Sequence, residues 1–348
     1  MSYINDILNT TKIEVPWSLL SGCNILVTGA TGLIGSCLIE VLMERPQRDY
    51  FVYAMGRNSQ RMNKLFERYI STEGFHTIIG DVTEPLSTDL SFHYIIHVAG
   101  GAAPSEFAKH PVEVMKANIN GVINLMEYGL THNMHRFLYV SSGEVYGEGD
   151  GREFTEDYSG YVDCVSPRSC YPSSKRAAET LCVSYASEYG ADVVIARPCH
   201  IYGPNFTEND NRVYAQFIRN VLQDEDIVLK SKGEQFRSWC YVVDCASAIL
   251  HILLKGQRTE AYNIADDKSA ISIKELANMV AAIGKKRVVI HIPEADERKG
   301  YNPVSKSVYS AEKLKLLGCS IEGDMFDKMR ATIDFVKERS SKCLNSFR

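Results

Sequence analysis

A glycine-rich segment between a short apolar run and a helical pattern constrains this chain more than any other feature. The segment runs from Gly29 to Gly35 and reads GATGLIG, and it follows the buried-strand pattern NILVT of residues 24–28. Apolar residues recur at helical spacing after it, so the glycines lie on a strand-to-helix turn. Free N–H groups at the start of such a helix attract phosphate, and the segment therefore predicts a dinucleotide-binding loop.

Each glycine of this loop has a predicted role. Gly29 allows the tight turn, Gly32 lets the backbone approach a pyrophosphate, and Gly35 lets the helix pack closely on the strand. The predicted cofactor contacts of the loop are Gly29, Thr31, Gly32, Leu33, Ile34 and Gly35. A glycine triplet alone also serves plain strand–helix packing, so the prediction depends on a second motif.

The second motif is a tyrosine and a lysine at the start of another helical pattern, in the segment YPSSK of residues 171–175. A spacing of four puts Tyr171 and Lys175 on one helical face. Tyrosine is a poor base at neutral pH, so a lysine cation nearby, helped by an oxidised nicotinamide, would favour the phenolate, which would take a proton from a sugar hydroxyl. Ser142, at a predicted strand end, would hydrogen-bond the same oxygen. Alone, the pair is typical of a helix surface; after the glycine loop, it predicts a catalytic site.

Strand and helix patterns alternate through much of the chain. The predicted strands are residues 24–28, 50–55, 77–79, 94–99, 137–140, 193–196 and 260–264. This alternation predicts an α/β fold with a doubly wound parallel sheet of Rossmann type. Later in the chain, Ser272 is the predicted N-cap of a helix that runs to Ile283.

We expect three parts, since no Pro/Ser/Gly-rich linker interrupts the 348 residues. Residues 1–22 form an N-terminal arm with a short helix. Residues 23–203 form the dinucleotide-binding domain, to which residues 236–265 return. Residues 204–235 and 266–348 form mainly a smaller C-terminal substrate-binding lobe and surface helices.

The choice between NAD and NADP falls at the end of the second predicted strand. An acid there binds the ribose hydroxyls of NAD, whereas an arginine accommodates the phosphate of NADP. Arg57 stands at this end and no acid is present, so both cofactors remain open. Asp81, Val82 and Ala99 follow or end the next two strands and are predicted cofactor contacts. His97 is predicted to be a core histidine.

Composition narrows the possible partners and compartments. A net charge of -5 and a pI near 6.0, with basic residues scattered along the chain, predict no nucleic-acid partner. No apolar run is long enough to span a bilayer, and residues 1–14 fit neither a signal peptide nor a transit peptide, so we expect no membrane partner. The ten cysteines form no CxxC pair. They predict reduced thiols, no metal site and a cytoplasmic protein.

Together these motifs resemble the extended short-chain dehydrogenase/reductase family, in particular its nucleotide-sugar epimerases, dehydratases and decarboxylases. The resemblance is carried by TGATGLIG at 28–35, SSGEVYG at 141–147, YPSSK at 171–175, RPCHIYGP at 197–204 and FRSWCYVVD at 236–244. It implies a tightly bound NAD or NADP that oxidises a sugar carbon, usually C4, and is restored in a later step. It also implies a homodimer through the helices around Leu125 and Leu181.

The same resemblance implies further site residues. Asn118 is expected to be the active-site asparagine, Arg237 a ligand of the nucleotide diphosphate, and Arg298 a late arginine that grips the substrate phosphates. His200 stands where many members place a substrate-binding asparagine. Arg212 is a further candidate for the nucleotide pocket.

Glu144 discriminates between reactions within the family. The resemblance places it where 4,6-dehydratases and UDP-glucuronate decarboxylases carry a glutamate, which can move a proton at C5 once the C4 ketone has acidified it. Segments 167–171 and 237–241 resemble the decarboxylases most. Gly143 replaces both the aspartate of typical dehydratases and the serine of typical decarboxylases. We therefore rank decarboxylation of a UDP-uronate first, 4,6-dehydration second and C4 epimerisation third, with a non-catalytic dinucleotide-binding redox sensor as the alternative of another class.

Overall fold

The computed structural model describes residues 2–101, 104–207, 210–292 and 306–345. In its first half, strands and helices alternate as the sequence predicts, except that the third and fourth strands, and then two helices, follow each other directly. The elements are α1 (Tyr3–Thr10), β1 (Asn24–Thr28), α2 (Leu33–Glu44), β2 (Phe51–Gly56), α3 (Ser59–Leu65), β3 (Phe75–Ile79), β4 (Tyr94–His97), α4 (Pro104–Lys109), α5 (Pro111–Thr131), β5 (Arg136–Val140) and α6 (Cys170–Tyr189).

In the second half, shorter strands lie between the helices. The elements are β6 (Val193–Pro198), β7 (His200–Tyr202), α7 (Val213–Leu222), β8 (Ile227–Leu229), β9 (Phe236–Tyr241), α8 (Val242–Lys255), β10 (Ala261–Ile264), β11 (Ala270–Ser272), α9 (Ile273–Gly284), β12 (Val288–Ile290), β13 (Lys306–Ser307), α10 (Glu312–Lys315) and α11 (Met325–Asn345).

A seven-stranded sheet forms the centre of the molecule. Its strand order is β10-β6-β5-β4-β1-β2-β3, and every neighbouring pair is parallel. The order reverses at β1, which pairs with β2 on one side and β4 on the other. The predicted α/β fold with a doubly wound sheet of Rossmann type is confirmed. In such sheets ligands bind beyond the carboxyl ends of the strands, at the point of reversal.

The apolar β1 is buried on both faces because helices cover both sides of the sheet. Ile25 and Val27 face a core that α2 and α8 share, whereas Leu26 faces a core that α5 and α6 share. All three side chains are buried. This two-sided burial explains why the strand reads as a continuous apolar run rather than as an alternating pattern.

A smaller sheet lies beyond the large one. β9 pairs with β7, β11 and β13, and a separate pair is formed by β8 and β12. We expected residues 236–265 to return to the large domain, but the return begins only with α8, at Val242. β9 has only six residues, FRSWCY, and so short a segment does not reveal from its own sequence which sheet it joins.

The ends of the chain pack on the large sheet's helices. The Tyr3 hydroxyl donates a hydrogen bond to Glu40 of α2 at 2.5 Å, and Lys328 of α11 pairs with Asp244 of α8 at 2.7 Å. Leu125, which we placed near a dimer interface, is only 1% exposed and packs in the core of α5 and α6. No helix in the described part of the chain is both long and apolar enough to cross a bilayer.

Candidate active site

A cleft of about 590 Å³ opens beyond the carboxyl ends of β4, β5 and β6 and reaches the small sheet. It collects predicted residues that lie far apart in the sequence. Those that line it are Ile34, Ser142, Glu144, Tyr171, Lys175, His200, Arg212 and Arg237. Arg298 lies outside the described residues.

The glycine loop has the geometry that its sequence predicts. Gly29 adopts a φ of +66°, and a Cβ there would lie 2.7 Å from the backbone nitrogen of Ala99. A Cβ on Gly35 would overlap the carbonyl oxygen of Gly29, so only glycine lets α2 start this close to β1. Gly32 caps α2 without a side-chain hydrogen bond, which leaves the first N–H groups of Leu33 and its neighbours for a ligand. Contact with a pyrophosphate stays a prediction.

Two charged residues meet at the ends of β2 and β3. Arg57 is largely exposed and lies 3.6 Å from the carboxylate of Asp81. Although partial burial alone would raise the pKa of Asp81, hydrogen bonds from Thr83 and the charge of Arg57 hold that pKa below its usual value. Arg61 instead donates to the carbonyl oxygen of Thr31, at 2.9 Å, and so supports the glycine loop.

The other predicted contacts on this side surround the end of β4. The backbone nitrogen of Ala99 donates to Thr28 at 3.3 Å. Val82 is buried in the core of α5 and α6. The prediction that His97 belongs to the core is confirmed, since it is fully buried and its Nδ1 lies 2.8 Å from the Thr28 hydroxyl. Burial lowers the pKa of His97 to about 3, so this ring is neutral.

Tyr171 lies in the first turn of α6 with its ring stacked on Phe107, at 4.5 Å between centroids. Burial raises the pKa of Tyr171 to about 12, against the lowering effects of a Ser142 hydrogen bond and of the Arg212 and Arg168 charges. Without ligands the hydroxyl is therefore neutral, because burial disfavours the anion more strongly than the nearby charges favour it. A phenolate beside an oxidised nicotinamide stays a prediction. Ser142 and Tyr171 do come together as predicted.

Lys175 lies on the same face of α6 but points beneath the cleft. Its Nζ donates to the carbonyl oxygen of Val140 at 2.9 Å and lies 4.7 Å from the centroid of the Tyr139 ring. The distance to the Tyr171 ring centroid is 5.8 Å. Burial lowers the pKa of Lys175 to about 7, although the Glu179 carboxylate acts in the opposite direction.

Asn118, on α5, is fully buried behind the cleft. Its amide nitrogen donates to Ser174 at 2.9 Å, whereas its carbonyl oxygen has no hydrogen-bond partner among the described residues. A Cβ on Gly100 would lie 2.7 Å from that oxygen and 3.4 Å from Nζ of Lys175. The glycine therefore keeps a path open from the cleft to a buried acceptor and a buried amine.

Glu144 is held by an arginine that sequence reasoning missed. Its carboxylate accepts a hydrogen bond from Arg168 at 2.8 Å, and the Arg168 guanidinium lies 4.8 Å from the Phe107 ring centroid. Ser142 caps the short helix that carries Glu144, since its Oγ accepts from the backbone nitrogen of Glu144 at 3.2 Å. In the sequence, the signal for this contact was only that Arg168 is a basic residue three positions before Tyr171.

The substrate side of the cleft combines a neutral ring with two guanidinium groups. Nδ1 of His200 is buried without a partner among the described residues, and burial, with Arg237 and Arg212 adding to it, lowers the pKa of His200 to about 3. Arg212 binds Asp210 through two nitrogens, at 2.5 and 2.9 Å. Arg237 is only 5% exposed and donates to the backbone oxygen of Phe236 at 2.9 Å.

Tyr309 also lines the cleft, and no sequence signal marked it. It follows β13, is 3% exposed, and its ring lies directly against Gly143. A Cβ on Gly143 would lie 2.5 Å from Cζ of Tyr309 and would overlap its hydroxyl oxygen. The absence of a side chain at position 143 is thus matched by a tyrosine from elsewhere in the chain.

The sheet and the cleft together define a class of protein: an enzyme built on a dinucleotide-binding fold, with a serine after β5 and a tyrosine and a lysine at the start of α6. The chain belongs to the NAD dependent epimerase/dehydratase family, whose model matches residues 25–265. The residues fit such a cofactor, because the loop at Gly32 leaves uncapped helix N–H groups and Asn118 has a buried acceptor without a partner in the described part of the chain.

Relatives and solved structures agree with this assignment. UDP-glucuronic acid decarboxylase 6 from Arabidopsis thaliana is 34% identical over 291 residues, which cover 82% of each chain. UDP-glucuronic acid 4-epimerase from Bacillus cereus, solved with UDP-glucuronic acid and NAD, has a TM-score of 0.78 at 24% identity and covers 91% of this chain and 99% of its own. dTDP-glucose 4,6-dehydratase from Streptomyces venezuelae, solved with NAD, has a TM-score of 0.79 at 22% identity, with 91% and 98% covered. At these identities the two structures support the fold.

Proposed function

We propose that this chain decarboxylates a UDP-uronate by transient oxidation of the sugar at C4, with bound NAD. The observation that carries this proposal is the position of the Glu144–Arg168 pair in the same cleft as Ser142 and Tyr171. A relative named UDP-glucuronic acid decarboxylase, 34% identical over 82% of both chains, supports the choice of reaction.

The oxidation is assigned mainly to Ser142, which follows β5, and to Tyr171, in the first turn of α6. Tyr171 takes the proton from the C4 hydroxyl, and Ser142 hydrogen-bonds the same oxygen as it becomes a carbonyl. NAD, when bound, would accept the hydride from C4, would supply a positive charge, and in its reduced form would return the hydride to C4 after decarboxylation. Positive charge from Arg168 and Arg212 already lowers the pKa of Tyr171 against the effect of burial, and this supports its role as a base. Lys175 and Asn118 lie behind Gly100 and would orient the reacting groups from that side.

A ketone at C4 makes the sugar a β-keto acid, and the C6 carboxylate of such an acid can leave as carbon dioxide. Breaking the C5–C6 bond releases carbon dioxide and leaves its electron pair in an enolate across C4 and C5, which then takes a proton at C5. Glu144 is the group that we assign to proton transfer at C5. The nucleotide end is assigned to His200, Arg212 and Arg237, and the latter two supply positive charge for a diphosphate.

We infer NAD rather than NADP from the charges at the end of β2. A phosphate held by Arg57 would also meet the carboxylate of Asp81, 3.6 Å from the guanidinium. Arg61 is directed towards Thr31. NAD should therefore bind at least about tenfold more tightly than NADP in calorimetric titrations, a difference of about 1.4 kcal/mol. Equal affinities, or tighter binding of NADP, would contradict this assignment.

The proposal also covers the oligomeric state and the compartment of the protein. We propose a cytoplasmic homodimer in which the outer faces of α5 and α6 form the contact. Exposed apolar side chains on those faces support it; they are Val112, Met115, Leu130, Val183 and Tyr189.

The reaction is tested by mass spectrometry of products after incubation with NAD and a panel of UDP, dTDP, GDP and CDP sugars. Loss of carbon dioxide from a UDP-uronate is the expected result. Loss of water would mean a dehydratase, and unchanged mass with new stereochemistry would mean an epimerase. No turnover on any sugar, together with partner binding that depends on cofactor redox state, would favour the redox sensor.

A further inference from the structure

The floor of the cleft between Ser142 and Glu144 is formed by a residue without a side chain. In the proposed reaction Ser142 contacts the C4 oxygen and Glu144 faces C5, the carbon that bears C6, and Gly143 lines the cleft between these two residues. The hydroxyl-bearing edge of Tyr309 fills this place, because a Cβ on Gly143 would lie 2.5 Å from Cζ and would overlap the hydroxyl oxygen. The Tyr309 side chain thus occupies the space that a side chain at position 143 would fill.

Tyr309 is fixed in this position through its backbone. β13 pairs with β9 immediately before it, and the backbone nitrogen of Tyr309 donates to the Ser238 hydroxyl at 3.1 Å. Phe154 donates to the carbonyl oxygen of Val308 at 2.7 Å on the other side. The tyrosine therefore cannot withdraw from Gly143 without breaking contacts of the small sheet.

The ring of Tyr309 is also held by other aromatic side chains. It packs against Phe154, with centroids 5.4 Å apart and planes at 63°, and against Tyr146 at 5.7 Å. These contacts orient the hydroxyl before any substrate binds, which lowers the entropic cost of a hydrogen bond to the substrate.

The Tyr309 hydroxyl is a neutral group that can donate a hydrogen bond. Burial raises its pKa, and the neighbouring Glu144 charge adds to this effect. Its oxygen lies 2.7 Å from the Ser307 hydroxyl, which can accept or donate in turn. By contrast, the Tyr146 hydroxyl, in the same aromatic cluster, donates to Asn263 at 2.5 Å and does not line the cleft.

We propose that Tyr309 is a specificity-determining residue whose hydroxyl hydrogen-bonds the C6 carboxylate of a uronate sugar in the space that Gly143 leaves open. The proposal rests on the proposed function and names the part of the substrate that this residue recognises. Arg237 lines the same cleft and is only 5% exposed, so its positive charge favours an anionic substrate there.

The test compares two ligands that differ only in the recognised group. UDP-glucuronate carries the C6 carboxylate, and UDP-xylose, its decarboxylated counterpart, lacks C6. Tyr309→Phe should weaken UDP-glucuronate binding by about tenfold or more, since a hydrogen bond to a charged group contributes roughly 1.5–3 kcal/mol. UDP-xylose affinity should change by less than about twofold. Calorimetric titration of the NADH-loaded protein, in which the sugar cannot be oxidised, measures both values.

Tyr146→Phe is the matched control, because it removes a hydroxyl from the same cluster but not from the cleft. It should leave the ratio of the two affinities unchanged. The proposal would be overturned if Tyr309→Phe lost affinity for both ligands equally, or if it lost no affinity for UDP-glucuronate. If the wild-type protein releases carbon dioxide and Tyr309→Phe binds UDP-glucuronate normally, only this inference fails; if the wild type releases none, the proposed function fails with it.

A second variant tests the shared space directly. Gly143→Ser should displace the Tyr309 ring and weaken UDP-glucuronate binding by more than Tyr309→Ala does. The double variant Gly143→Ser/Tyr309→Ala should bind more tightly than Gly143→Ser alone, because the clash is removed and a hydroxyl remains at position 143. Strictly additive losses would overturn the assignment of a shared position.

Discussion

Lys175 carries an amine into the interior beneath the cleft, and this has a measurable thermodynamic consequence. Burial lowers its pKa to about 7, whereas the unfolded chain has the ordinary lysine value of about 10.4. Between these two pH values the unfolded state binds a proton that the folded state does not, so stability rises with pH across that window. Below about pH 7 the lysine is protonated in both states, so the folded protein bears the full destabilisation from burying the cation.

Lys175→Met should therefore stabilise the ligand-free protein at neutral and mildly acid pH, by on the order of a few kcal/mol. The gain should shrink as the pH rises from about 7 towards about 10, where the wild-type lysine is neutral in both states. Urea unfolding of both proteins at several pH values measures the difference. A gain that does not depend on pH would contradict the lowered pKa, and so would a loss at neutral pH.

The sequence predicted the members of the site better than their protonation states. Ser142, Glu144 and Tyr171 lie at a strand end and a helix start, and such places converge in a parallel sheet. The neutral state of Tyr171 without ligands could not be predicted from the sequence, because the degree of burial depends on Phe107 and on other residues distant in the chain. Tyr309 was missed for the same reason: its partner, Gly143, is a neighbour only in space.

The turn between β1 and α2 makes different demands on two of its glycines. A Cβ on Gly35 would overlap the Gly29 carbonyl oxygen and lie 3.0 Å from the Gly29 carbonyl carbon, and both are backbone atoms that cannot rotate away. A Cβ on Gly32 would lie 3.2 Å from the same oxygen, which requires a much smaller adjustment.

Gly35→Ala should therefore shift the start of α2, with an expected loss of roughly 1–3 kcal/mol in stability and a marked loss of NAD affinity. Gly32→Ala should keep nearly wild-type stability but should still lower the affinity for NAD, because its Cβ would lie where the backbone approaches the pyrophosphate. Thermal unfolding and NAD titration of both variants separate the two roles. Equal stability losses would contradict the distinction.

Whole elements could be predicted where the local signal was complete. Ser272 and Glu275 form a reciprocal capping box at the start of α9, as the predicted N-cap suggested. β9 and β13 lacked such a signal, because strands of six and two residues carry no information about their partner strands. The small sheet is therefore a product of tertiary pairing that a single sequence does not encode locally.

The arrangement of the large sheet follows from the sequence, but the packing of the whole molecule does not. Strand–helix alternation predicts parallel order, and the observed order confirms it. The predicted dimer contact shows the limit: helix positions are readable, but which face of α5 is free depends on α6, which buries Leu125.

Val183 provides a test of the proposed dimer. Its side chain on α6 is 41% exposed, and a charge there should prevent contact between two apolar faces. We expect the wild type to sediment as a dimer and Val183→Glu as a monomer. Val165→Glu is the control, because Val165 is 92% exposed outside these helices and the variant should remain dimeric. A monomeric wild type would contradict the proposal.

The most direct test of the proposed chemistry follows the carbon that is predicted to leave. UDP-glucuronate labelled at C6 is incubated with the NAD-loaded protein, and labelled carbon dioxide is collected. We expect the wild type to release the label. Tyr171→Phe should bind the substrate normally but should release the label more slowly by a factor of roughly 100 or more. Retention of the label by the wild type, or release at wild-type rates by Tyr171→Phe, would contradict decarboxylation through C4 oxidation in this cleft.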